Sequence, residues 1–157
     1  MGHPGSERPV PRPGRLRPLI IGEGAGIGPA IQLVERARTQ RVSAQPAAPP
    51  WHPLVLLGSD GAFPFRPRPS VIIVPGIPTG VIACMPLLEE WGVASRLASA
   101  QDAPGCFEGS VTALAEVWLA SLPTEELAEI EVFAQGSAAT LAAAATLARR
   151  YGLPYRA

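Results

Sequence analysis

The chain has 157 residues and a mass of 16.4 kDa, enough for one compact domain and too short for two. Apolar residues make up 47% and charged ones 17%, so a real core can be built and global disorder is not expected. Thirteen basic residues, all arginine, balance thirteen acidic ones, which leaves no positive excess for a phosphate backbone and argues against nucleic acid as a partner. No apolar run approaches the ~20 residues of a membrane span; the longest, Ala138 to Ala148, is alanine-rich and broken by threonine. The first residues are rich in Pro and Arg and lack the apolar core of a secretory signal. Cys84 and Cys106 are too few for a disulfide framework or an iron–sulfur cluster. A soluble, cytoplasmic protein is expected, without contact to a membrane.

Prolines punctuate the chain, 19 of them against ~8 at average usage, and their clusters mark where regular structure stops. Residues 1–17 read as a Pro/Arg-rich arm, and 18–157 as the domain. Leu19-Ile-Ile21 opens the domain as a strand, followed by a glycine-rich turn. A helix follows, with Ile31, Val34, Ala37 and Arg38 at 3.6-residue spacing. Gln45–Pro50 is a connector. Leu54–Leu57 reads as the second strand, Phe63–Pro69 as a stiff loop carrying Arg66 and Arg68, and Val71–Val74 as a third strand. Val93–Ala98 is a shorter strand candidate. Leu114, Val117, Trp118 and Leu122 restore the helical spacing, and Pro123–Glu129 is a short acidic helical turn, its carboxylates placed early where the dipole favours them. Ile130–Ala134 is again a strand, and Thr140–Tyr151 an alanine-rich helix stopped by Gly152. The strand runs lack polar alternation, which suits burial on both faces. Strands alternating with helices predict an α/β, doubly wound, mostly parallel sheet of about five or six strands flanked by helices in three layers.

The richest segment runs from Leu19 to Glu35. Gly22, Gly24, Gly26 and Gly28 let the backbone bend and approach a ligand closely, and the helix that follows has Pro29 in its first turn. Its N-terminus presents N–H groups and a positive dipole end, which suits a diphosphate. The spacing is not G-x-G-x-x-G, because Ile27 stands at the third glycine, so a tight turn without ligand is the alternative. Glu23 would repel a diphosphate unless it turns away or pairs with Arg66 or Arg68. Ala134–Thr140 is a second strand-to-helix junction, with Ser137 a natural N-cap and Gly136 permitting close approach. In a parallel sheet, Gly22–Pro29 and Gln135–Ser137 should face one crevice beyond the strand ends. Asp60 stands where a ribose contact is often found, or it closes a Ser-Asp-Gly turn. Ser110 or Gly109 is placed to cap the helix that follows. Cys106, between Gly105 and Phe107, is a thiol near a ligand or a small buried side chain. The only histidines are His3 and His52, so no metal site is expected. The absence of lysine removes the P-loop, and no G-x-S-x-G elbow occurs.

Leu19 to Pro29 resembles the first strand and phosphate turn (Gly-Gly-Gly-x-Gly-Ile-x-Pro) of the NAD-binding module of the ferredoxin–NADP reductase-like superfamily. More narrowly, the chain resembles the electron-transfer subunit of dihydroorotate dehydrogenase B. Pro104–Leu114 is similar to that family's Gly-x-x-Gly-x-Val-Thr-x-Leu segment. Val132–Leu141 stands in the place of its Cys-Gly-Pro motif, and Leu147–Pro154 looks like the helix and turn that follow. The resemblance covers Pro18 to the last residue. It implies a Rossmann-like fold, with NAD or NADP held by Gly22, Gly24, Ala25, Gly26, Ile27, Gly28 and Pro29, and by Gln135, Gly136 and Ser137 opposite. It also carries departures. Gln135 replaces the motif's cysteine, Ser137 its proline, Glu23 a turn glycine and Ala25 a turn Thr or Ser, while Pro64 to Pro86 looks longer than the family's connection. The family's flavin barrel and its [2Fe–2S] cysteine cluster have no counterpart in these residues, so no FAD site and no iron–sulfur cluster are expected in this chain. No catalytic residue is expected either. The implied role is electron transfer beside a flavoprotein or iron–sulfur partner in trans, or as a homodimer, with Trp91 or Trp118 near the contact. The alternative is a non-catalytic interaction or assembly protein that keeps the fold without the nucleotide.

Overall fold

Runs such as Leu19-Ile-Ile21 can be apolar on consecutive residues only where both faces of a sheet are covered, and that is their setting in the computed structural model, which describes residues 15–43 and 51–157. The arm's first fourteen residues and the Gln45–Pro50 connector lie outside the described residues. In chain order the elements are β1 (Leu19–Glu23), α1 (Ile27–Val42), β2 (Leu54–Ser59), β3 (Arg68–Pro69), β4 (Ala83–Cys84) and α2 (Pro86–Glu90). They continue with β5 (Ala94–Ser99), β6 (Phe107–Glu108), α3 (Val111–Ala120), α4 (Thr124–Leu127), β7 (Val132–Gln135), α5 (Ala138–Arg150) and β8 (Tyr155–Arg156).

Six strands form one sheet in the order β6-β5-β2-β1-β7-β8, every neighbouring pair parallel. This is the doubly wound α/β architecture expected. Leu19 pairs with Leu54 on one side and with Val132 on the other. The chain winds from β1 outward through β2 and β5, then crosses to β7 and β8. The winding therefore reverses between β1 and β7, and ligands of such sheets bind beyond the strand ends at that reversal.

Leu19, Ile21, Leu54, Leu56 and Val132 pack with Leu114, Trp118 and Leu119 of α3 and Leu147 of α5 on one face. On the other face Ile20, Val55, Leu57, Leu97 and Phe133 meet Ile27, Ala30 and Val34 of α1 and Leu88 of α2. Alternate residues of β1 thus enter opposite cores, and Leu19, Ile20 and Ile21 are all fully buried. Arg15 donates to the carbonyls of Leu127 and Ile130, which ties the start of the described chain to the approach to β7. At the β8 edge Arg156 Nε meets the fully buried Glu131 at 2.9 Å. Glu131 is buried and Arg156 half-buried, so the pair joins the sheet edge to the interior. Among the described residues no helix is long and apolar enough to cross a membrane.

Val71–Val74 does not form the expected strand. Val71 and Ile73 are 89% and 88% exposed, and side chains take the backbone groups a ladder would use. Glu89 accepts from the Val71 N–H, Ser70 Oγ accepts from the Ile72 N–H, and Arg96 Nη2 donates to the Ile72 carbonyl. Local side-chain hydrogen bonding of this kind competes with sheet formation, and Pro69 and Pro75 bracket the segment. The sheet's third position goes instead to β5, where Leu97 and Ala98 are fully buried.

Candidate functional site

The four glycines of the first turn do different work. A Cβ on Gly22 would stand 2.8 Å from the Ala30 Cβ, so this glycine sets how closely α1 lies on β1. A Cβ on Gly26 would fall 2.3 Å from the Gln135 carbonyl, so Gly26 locks the corner against the end of β7. Ile27 is 3% exposed and belongs to the core. Gly24 has φ of 57°, a left-handed conformation that disfavours other residues, and it faces open space, as does Gly28. Gly24, Ala25, Gly28 and Pro29 are exposed. The surface of this corner is therefore bare backbone at the start of α1, apart from Pro29, which contributes no N–H.

The structure brings Gln135–Ser137 against this turn, but of the two segments only Glu23 and Ser137 line the crevice beyond the strand ends. Gln135 pairs with Gly22, Gly136 is half-buried and Ser137 is the exposed N-cap of α5, its Oγ accepting from the Thr140 N–H at 3.2 Å. Glu23, which pairs with neither Arg66 nor Arg68 among the described contacts, turns toward α5. Its Oε1 accepts from Thr140 Oγ1 at 2.9 Å and more weakly from the Ser137 N–H at 3.5 Å. Ser137 Oγ in turn donates to Thr140 Oγ1. A carboxylate of the chain thus occupies the positive end of the α5 dipole.

Beyond the strand ends lies a crevice of about 450 Å³, lined among others by Glu23, Asp60, Glu108, Ser110, Ser137 and Thr140. Three carboxylates and no basic residue line it. Its walls are the capped starts of α3 and α5; Ser110 Oγ accepts from the Ala113 N–H at 3.1 Å. Gly58 sets the back wall, since a Cβ there would be 2.8 Å from the Val111 Cβ. Asp60 is exposed, and the Ser59–Ala62 turn beside it closes through Ser59 Oγ, which accepts from the Gly61 N–H. Glu108, Thr140 and Gly58 escape sequence reasoning. Thr140 lies three residues beyond its cap, and Glu108 belongs to a two-residue strand.

At the Gly24–Gly28 corner the backbone of Gly24 and Gly28 is exposed and faces open space. The crevice floor, with its three carboxylates, would repel an anion. Both thiols are held toward the neutral form: burial pushes Cys106 up, and burial together with Glu89 pushes Cys84 up. Among the described residues no group of three His, Cys, Asp or Glu is placed to hold a metal ion. Comparisons with protein-family models, curated proteins and solved structures give no match to this chain.

Proposed function

We propose that the chain is a dinucleotide-binding module of an oxidoreductase electron-transfer system, similar to the NAD-binding module of ferredoxin–NADP reductase-like proteins, working beside a flavoprotein or iron–sulfur partner. The observation that carries this reading is the direction of Glu23. Its carboxylate is engaged by Thr140 and Ser137, which removes the side chain most hostile to a diphosphate from the first turn. Gly24, Ala25 and Gly28 then offer backbone at the reversal point of the sheet. Asp60, past the end of β2, is the candidate for ribose hydroxyls. NAD or NADP would supply the hydride. No side chain accepts a hydride from a dihydronicotinamide unaided, so the acceptor belongs to the partner. Val71, Ile73 and Ile82, at 89%, 88% and 50% exposure, supply apolar surface for such a partner or for a second copy. Trp118 is only 2% exposed and is not part of that surface.

Calorimetric titration with NADH, NADPH, NAD and ADP-ribose tests the reading. ADP-ribose should bind about as well as the full dinucleotides, because the corner holds the diphosphate half. Silence of all four at millimolar concentration would end it. The second reading, a non-catalytic interaction or assembly protein, is favoured by one observation: Glu23, Asp60 and Glu108 face the crevice with no basic side chain to offset them. The same titration separates the two.

A further inference from the structure

A second cavity lies at the opposite end of the sheet, where β2 and β5 begin, and has a volume of about 460 Å³, within the range of small-molecule sites. Its lining includes Arg17, Arg38, Arg41 and all three tryptophans of the chain, Trp51, Trp91 and Trp118, and no carboxylate. Arg38 lies over the Trp91 ring at 4.5 Å and Arg41 over the Trp51 ring at 5.5 Å. A guanidinium over an aromatic face keeps its N–H donors in its own plane, free for a carboxylate or phosphate. Arg17 is already engaged by Glu126 and Glu129 at 3.3 and 3.9 Å. Among the described residues the guanidinium groups of Arg38 and Arg41 have only the rings as partners. Burial also lowers the pKa of Arg41, a cost that a bound anion would relieve. The Trp51 Nε1–H is buried without an acceptor, a further polar group left unsatisfied at this wall.

We propose that this cavity is a binding site for a small organic anion carrying one flat aromatic ring, the ring against Trp51 and Trp91 and the anionic group on Arg38 and Arg41. The site is independent of the dinucleotide corner, which lies at the other end of the strands. Because every tryptophan lines the cavity, intrinsic fluorescence of the full chain reports occupancy directly. Phenyl phosphate is the probe. Benzyl alcohol and benzylamine present the same ring without charge or with a positive charge, and inorganic phosphate presents the anion without a ring. Phenyl phosphate should give a saturable change with Kd of about 1 mM or tighter, weakened by added salt. Benzyl alcohol and inorganic phosphate should bind at least about tenfold more weakly, and benzylamine not at all. The Arg38→Gln/Arg41→Gln double variant should lose at least about tenfold in phenyl phosphate affinity, with its fold checked by thermal melting. Equal binding of benzyl alcohol or inorganic phosphate, salt-independent binding in the wild type, or an unchanged Kd in a folded double variant would overturn the proposal.

Discussion

The clefts at the two ends of the parallel sheet are lined by opposite charge. Where the strands finish, Glu23, Asp60 and Glu108 line the crevice without a basic residue; where they begin, Arg17, Arg38 and Arg41 line the cavity without an acid. The net charge of zero hides this division, because it is a statement about the sum and not about the field in either cleft. The topology explains the sorting. In a parallel βαβ sheet the helices all run back against the strands, so their positive ends gather at the strand carboxyl ends and their negative ends at the opposite rim. Glu23 at the start of α5, and Glu108 just before α3, sit at positive ends; Arg38 and Arg41 late in α1, and Arg149 and Arg150 at the end of α5, sit near negative ones. These side-chain charges complement the dipoles of the helices they flank.

The contrast can be broken most forcefully at the walls. Trp118, 2% exposed and donating through Nε1 to the Pro75 carbonyl, supports the basic cavity from the core. Trp118→Ala should cost about 3–5 kcal/mol in a denaturant titration; a loss below about 1 kcal/mol would mean the wall is not core-supported. At the acidic end the corresponding support is backbone on backbone. Gly26→Ala drives a Cβ into the Gln135 carbonyl and should cost about 2–3 kcal/mol, whereas Gly28→Ala, facing open space in the first turn of α1, should be neutral or stabilise by up to about 1 kcal/mol. Equal effects of the two substitutions would contradict the closed corner.

A pH titration sharpens the comparison between the sheet and the irregular loop beside the basic cavity. Burial pushes the Glu89 carboxyl up, but hydrogen bonds from the Val71 N–H, Ser70 and Cys84, with the Arg96 charge, outweigh it and leave the pKa below the usual 4.5. Its stabilisation is therefore present above the ordinary glutamate range and lost as the pH falls through the lowered folded value. Hydrogen exchange at Val71 and Ile72 should accelerate below about pH 4.5, relative to β1 and β2, and Glu89→Gln should remove that acid sensitivity. The smallest effect is expected at Glu23. Glu23→Gln, at a half-buried site on the α5 dipole, should cost about 0.5–1 kcal/mol and tighten ADP-ribose binding by no more than about threefold. A much larger gain would mean that the carboxylate guards the turn itself.

The strands most legible are those whose apolar runs must be buried on two faces, β1, β2 and β7; β5, which carries Ser95 and Arg96, reads only as a shorter candidate. Ser110 and Ser137 were legible as caps because an N-cap is a local signature. Val71–Val74 misled because its β-branched residues carry strand propensity while Glu89, Ser70 and Arg96 claim its backbone, a competition settled by residues up to 24 positions away. The two-residue strands β3, β4, β6 and β8 are too short for any periodic signal, and the five-residue α2 announced itself only by Pro86 at its first position. Of the corner, the glycines were visible but not their division of labour, which depends on Ala30 and Gln135. The Glu23 contact spans 117 positions to Thr140, a distance at which no local pattern speaks.

The most direct test is which end of the sheet receives a diphosphate. Amide chemical shifts followed by NMR during an ADP-ribose titration would show it residue by residue. Saturable perturbation at Gly24, Ala25 and Gly28, with Ser137 opposite and the Trp51 and Trp91 signals unmoved, is the predicted result. Perturbation confined to the arginine–tryptophan cavity, or none at millimolar ligand, would contradict it.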